Sequence, residues 1–127
     1  MAQYADIIEI LAPAESAPGS QVNVLVKVKN LYATTISLMI GGSLEYGISP
    51  WPSILFEEPV ADVEGLAAYT FGGFFVMPDK PVTLHLYSYW YGADGYWHLD
   101  DEMTRVISPA ALTPQVSEFK ITDFSKV

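Results

Sequence analysis

The sequence predicts an all-β chain, an antiparallel sandwich of short strands followed by an extra C-terminal strand or arm. Three observations carry this expectation. Val22, Val24, Val26 and Val28 alternate with residues that include Asn23, Lys27 and Lys29, and so strict a period of two marks a half-buried antiparallel strand. Glycine, proline and other turn formers recur about every 8–12 residues, the spacing of sandwich strands. No long segment carries the 3.6-residue period of a helix.

The composition narrows the function. At 127 residues the chain is the length of one domain. Fifteen acidic residues against six basic ones give a net charge of −9. That charge repels nucleic acid and anionic membrane surfaces, so neither is an expected partner, and it favours solubility. Cysteine is absent, which removes disulfides and thiolate metal sites. No stretch approaches the ~20 apolar residues of a membrane span. The first 16 residues lack the basic and apolar regions of a signal peptide. The expectation is synthesis in the cytoplasm, with a virion or cell surface as final location.

Taken in order, residues 4–11 form a first strand with Ile8 and Ile10 on one face, and residues 12–20 form a turn around Pro13, Pro18 and Gly19. Residues 21–30 are the valine strand, whose β-branched side chains suit a pleated surface. Residues 35–40 follow, with Ile36, Leu38 and Ile40 inward, and Gly41-Gly42 marks a bend. The segment 43–65 is broken by Pro50, Pro52 and Pro59, which leaves a short or edge strand at 53–57. Residues 59–67 fit a helical turn. Residues 68–76 are a strand whose Gly72-Gly73 pair signals a bulge or a close backbone approach. A turn at 77–80 leads to a hairpin over 81–101, and a bend or bulge separates residues 96–99 from residues 103–108, which continue after the acidic run Asp100-Asp101-Glu102.

The hairpin organises the reading. Its runs flank Gly92-Ala93-Asp94-Gly95, a four-residue turn that pairs Tyr91 with Tyr96, Trp90 with Trp97 and Tyr89 with His98. Alternation then places Val82, Leu84, Leu86, Trp90, Trp97 and Leu99 on a core face. Thr83, His85, Tyr87, Tyr89, Tyr91, Tyr96 and His98 fall on the opposite face. The predicted core joins the four valines to Ile36, Leu38, Leu84, Leu86, Trp90 and Trp97.

Two stretches carry a resemblance. Pro18-Gly19 with Val22, Val24, Val26, Val28 and Lys29-Asn30 resembles the second strand of bacterial and archaeal immunoglobulin-like domains of the cell-adhesion-related type (CARDB-like). Phe75-Val76-Met77-Pro78-Asp79 with Val82 and Leu84 resembles the turn before their penultimate strand. The resemblance spans residues 7–107 and extends to immunoglobulin-like components of viral particles. It implies an immunoglobulin-like sandwich over residues 1–108 used in adhesion, spacing or assembly, and transfers no catalytic residue. Residues 109–127 are then a linker and arm. Residues 116–124 alternate again, and the arm, carrying Phe119, Ile121 and Phe124, is expected to add to the sheet edge of another chain rather than fold back on its own.

Chemistry is sparse. His85 and His98 are the only histidines, no G-x-S-x-G elbow precedes a helix, and no enzyme activity or cofactor is expected. Asp94, Asp100, Asp101 and Glu102 are weak calcium candidates without EF-hand spacing, so no metal is expected. The binding face is Tyr87, Tyr89, Tyr91, Tyr96 and His98, with Trp51 exposed between Pro50 and Pro52. It reads as a plain sheet face, a protein interface, where tyrosine is enriched, or a sugar platform. The expected function is that of a structural or assembly protein, a decoration or tail component of a particle. Its partners are itself or a larger assembly, and a carbohydrate- or cell-surface-binding adhesion module is the alternative.

Overall fold

A computed structural model of the chain describes residues 2–110. Every regular element among these residues is a strand: β1 (Ala5–Leu11), β2 (Glu15–Ser16), β3 (Gln21–Asn30), β4 (Ile36–Glu45), β5 (Leu55–Phe56), β6 (Val60–Val63), β7 (Ala68–Val76), β8 (Val82–Tyr91) and β9 (Trp97–Pro109). They form a four-stranded sheet, β1-β3-β7-β5, packed on a five-stranded sheet, β2-β9-β8-β4-β6. The chain is an all-β sandwich. The arm residues Phe119, Ile121 and Phe124 lie outside the described residues.

The core lies between the sheets as the alternation requires. All four valines of β3 are buried, facing Leu38, Ile40 and Leu44 of β4 and Val82, Leu84 and Leu86 of β8. Each such side chain contributes roughly 1.5–3 kcal/mol on leaving water. Ile36 and Trp90 are only partly buried and pack against the margin of this core.

Several local expectations are corrected. Ile8 is 46% exposed, while Ile7 and Ile10 are buried. The register with β3 steps from Ile7↔Val28 to Glu9↔Lys27, so Ile8 is the extra residue of a bulge and the inward phase changes there. Gly41-Gly42 is no bend, since β4 runs through it. A Cβ on Gly42 would lie 2.7 Å from Cδ1 of Ile54 and 3.1 Å from Cδ2 of Leu86, so this glycine makes room for core side chains. The helical turn expected within 59–67 is strand β6, paired with β4 in the register Ile36↔Val63. Its Val63 is buried while Asp62 is exposed, an alternation that a short window hides. At Gly72-Gly73 the β3–β7 register is unbroken, so the glycines mark a close approach: a Cβ on Gly73 would lie 2.8 Å from the Phe56 ring.

The largest correction is the hairpin register. Tyr91 pairs with Trp97, Trp90 with His98 and Tyr89 with Leu99. The loop takes residues 92–96, closed by the Gly92 N–H donating to the Tyr96 carbonyl at 2.9 Å, with Gly95 at φ +83°. One residue of slip exchanges the faces of a strand. Trp97 and Leu99 therefore leave the core face, Leu99 to 62% exposure, and His98 joins Trp90. The expected irregularity after the hairpin is present: pairing passes from Tyr89↔Leu99 to Ser88↔Asp101, which leaves Asp100 as the bulged residue.

Polar pegs hold the two sheets in place. The Asp100 carboxylate accepts the backbone N–H groups of Gln3, Tyr4 and Ala5, each at 2.7 Å, and Asp101 accepts that of Ile7 at 3.0 Å. The buried Ser88 hydroxyl donates to the Ala5 carbonyl. Strand β1 is thus latched to the β9 and β8 of the opposite sheet. Asn30, fully buried, donates from its amide to the carbonyls of Val63 at 2.9 Å and Thr34 at 3.0 Å, and its Oδ1 accepts the Tyr32 N–H at 2.8 Å. Buried backbone groups in this crossover are thereby satisfied.

Candidate functional site

Two surfaces gather the chemistry. The first is the outer face of the five-stranded sheet. Strand β8 presents Thr83, His85, Tyr87, Tyr89 and Tyr91 there, and the register adds Trp97, Leu99 and Glu102 from β9 and Glu45 from β4. His85 sits at its centre with its side chain 14% exposed. Its Nε2 lies 2.8 Å from Glu45 Oε1 and its Nδ1 3.2 Å from Glu102 Oε2. The hydrogen bond to Glu45 raises the imidazole pKa, burial opposes this, and Glu102 adds to the rise. Trp51 stacks on the imidazole at 4.6 Å with the planes 22° apart. Tyr87 faces Gly41 across the ladder, and the Tyr89 ring lies in contact range of Gly41, 3.7 Å from where its Cβ would stand. Burial, with Tyr87 beside it, raises the Tyr89 hydroxyl pKa. Tyr91 meets Trp97 edge-on at 5.1 Å.

Of the predicted binding residues, Tyr87, Tyr89 and Tyr91 share this face and Trp51 closes over its His85 end. Tyr96 is at the hairpin tip, 71% exposed. His98, expected beside the tyrosines, stands with Trp90 because of the register shift. The four acidic candidates do not converge. Asp100 and Asp101 are spent on β1, Glu102 on His85 and Asp94 on His98. No group of three or more metal-ligating side chains occurs among the described residues.

The second surface was not legible from the sequence. A pocket of about 460 Å³ opens at the end of the sandwich beside the hairpin loop, between Tyr4, Tyr32, Ile36, Trp90, Tyr91, Asp94 and His98. Tyr4 meets Tyr32 at 5.3 Å and 81°, and Trp90 at 4.8 Å and 87°. The His98 imidazole stacks on Trp90 at 4.3 Å and 19°, and its Nε2 reaches Asp94 Oδ2 at 2.9 Å. Hydrogen bonds from His98 and from the Tyr96 N–H hold the Asp94 carboxyl below its usual pKa. Gly92 belongs to this arrangement, since a Cβ there would lie 2.5 Å from Asp94 Oδ1 and 2.8 Å from His98 Nε2. The three walls come from the N-terminus, the β3–β4 loop and β8. No motif links those positions, and the only local signal is that each is aromatic.

No family model matches the chain, and no curated protein matches it in sequence. In structure it is similar to part of the Pseudomonas fluorescens alkylpurine DNA glycosylase AlkC, solved bound to DNA containing an abasic site analogue. That match has 11% identity and a TM-score of 0.61, covering 85% of this chain and 31% of AlkC. It is also similar to Spo0M, a sporulation control protein of Bacillus subtilis, with 17% identity and a TM-score of 0.50, over 86% of this chain and 50% of that one. The chain therefore spans a third to a half of these proteins. At such identities the likeness defines a class by fold, the two-sheet β-sandwich, and transfers no chemistry.

Proposed function

We propose that the protein is a non-enzymatic structural component with an immunoglobulin-like fold, which assembles with copies of itself or with a larger particle. A surface or tail component of a virion is the specific form of this reading. The observation that supports it is the outer face of the five-stranded sheet, where Tyr91, Leu99, Val106 and Val60 are exposed around half-buried tyrosines. An aromatic and aliphatic centre with a charged surround is the make-up of a protein interface. The sugar-platform alternative is less favoured, because His85 covers one face of Trp51 and Tyr89 lies over Gly41. His85 supports a non-enzymatic role as well, since both of its ring nitrogens are engaged by carboxylates.

Light scattering on the full chain tests the reading. The expected result is an oligomer whose mass falls to that of a monomer when Tyr91 and Leu99 are both replaced by serine, with an unchanged melting temperature. Removal of residues 113–127 tests the arm in the same assay, and loss of assembly with retained fold is expected. A chain that stays monomeric at every concentration and gives specific hits on a glycan array would establish the adhesion-module alternative instead.

A further inference from the structure

We propose that the pocket at the end of the sandwich binds a quaternary ammonium group, the N-trimethyl cation carried by choline. The proposal concerns a surface that adjoins the assembly face, with Tyr91 on the border of both, and it does not rest on that reading. Tyr32, Tyr4 and Trp90 meet successively at 81° and 87°, so they form walls and not a stack. A cation is attracted to the faces of such rings within about 6 Å of their centroids. Asp94 lines the same pocket, and its hydrogen bonds from His98 and Tyr96 favour the ionised carboxylate. Among the described residues no lysine or arginine lines the pocket, and the chain carries a net charge of −9. Electrostatic complementarity therefore selects a cation. Ile36 and the ring surfaces suit a methylated ammonium, which gives up water more readily than a primary one.

The walls are built before any ligand arrives. Tyr4 is held by the Leu31 N–H on its carbonyl at 2.8 Å and by Asp100 on its own N–H. Tyr32 is held by Asn30 on its N–H and by the Leu66 N–H on its carbonyl at 3.1 Å. Such preorganisation lowers the entropy lost on binding. The volume of about 460 Å³ lies in the range of small-molecule sites. A sugar fits less well, because His98 covers one face of Trp90 and the polar pair of the lining, Asp94 and His98, is already mutually bonded.

The test titrates choline chloride into the full chain at constant ionic strength and follows the Trp90 indole N–H by NMR. A saturable shift is expected. The neutral isostere 3,3-dimethylbutan-1-ol should bind at least about 10-fold more weakly, since it lacks the charge that the rings and Asp94 attract. Tyr32→Ala should weaken choline at least about 5-fold. Asp94→Asn should weaken it as well, most at low salt. Free N-trimethyllysine, titrated in parallel, distinguishes a modified peptide from a choline-type small molecule as the source, by which of the two binds tighter. Tyr32 is half exposed and Asp94 is on an exposed loop, so both variants should fold, and the Asp94→Asn result decides if Tyr32→Ala does not. Absence of saturation at about 100 mM choline (a Kd weaker than any specific site), equal binding of the neutral isostere, or binding of methyl glucoside at Trp90 in place of choline would overturn the proposal.

Discussion

Replacing Asp100 by alanine should destabilise the protein more than any other change at an acidic residue. Its carboxylate accepts three backbone N–H groups at the entry of β1, all at 2.7 Å. Ala5 is fully buried, so its N–H would lose its partner away from water, a cost of about 1–3 kcal/mol. The N–H groups of Gln3 and Tyr4 are nearer solvent, and exchanging a carboxylate for water there costs about 0.5–1.5 kcal/mol each. The total is about 2–6 kcal/mol. For a chain of this size a kilocalorie moves the midpoint by roughly 3–5 °C, so the melting temperature should fall by roughly 6–30 °C. Asp100→Asn retains one acceptor oxygen and should fall between the variant and the parent. Thermal and urea melts followed by circular dichroism read this directly. The same change frees Tyr4, so choline affinity should weaken under conditions where the variant remains folded. A melting temperature within about 2 °C of the parent would refute the latch and return Asp100 to the role of a solvated acid.

Three further expectations follow from the same geometry. Asn30→Ala should cost about 2–4 kcal/mol in a urea melt, since it leaves the Tyr32 N–H and the Val63 and Thr34 carbonyls without their buried partner; a loss below about 1 kcal/mol would mean that water replaces the amide. The raised pKa of His85 means that the imidazole binds its proton more tightly folded than unfolded. The resulting stability is complete below the unfolded value of about 6.5 and is lost as pH rises through the folded value. The parent should therefore melt lower at pH 8.5 than at pH 6, by more than a His85→Gln variant does, and parallel curves for the two would remove His85 as the cause. Gly42→Ala should cost about 1–3 kcal/mol, because the new methyl meets Ile54 and Leu86 in a packed core, whereas Gly72→Ala, whose Cβ would have only Leu25 at 3.6 Å, should melt close to the parent.

The sequence by itself determined the class of fold. The valine alternation of β3 needs no tertiary information, because a period of two has only one way to bury one face. The inward sets of β4 and β8 up to Leu86 followed from the same rule. The alternation also placed Tyr87, Tyr89 and Tyr91 on one outward face. It pointed to an irregularity between Leu99 and Met103, but it did not determine at which residues the period slips. Ile8 and Asp100 are single extra residues, and the hairpin loop is one residue longer than its glycines advertise. Each slip moves every later side chain to the other face, and no local propensity records it. Only packing decided them: Ile7 and Ile10 both find the core if Ile8 bulges, and Asp100 reaches β1 because it has no partner on β8. The end pocket lay further from the sequence still. Tyr4, Tyr32 and Trp90 are remote in the chain and meet because Asp100, Asn30 and the β8–β9 register each fix one wall. Contacts of that kind depend on two sheets closing over one another, and a one-dimensional pattern holds no term for the distance between them.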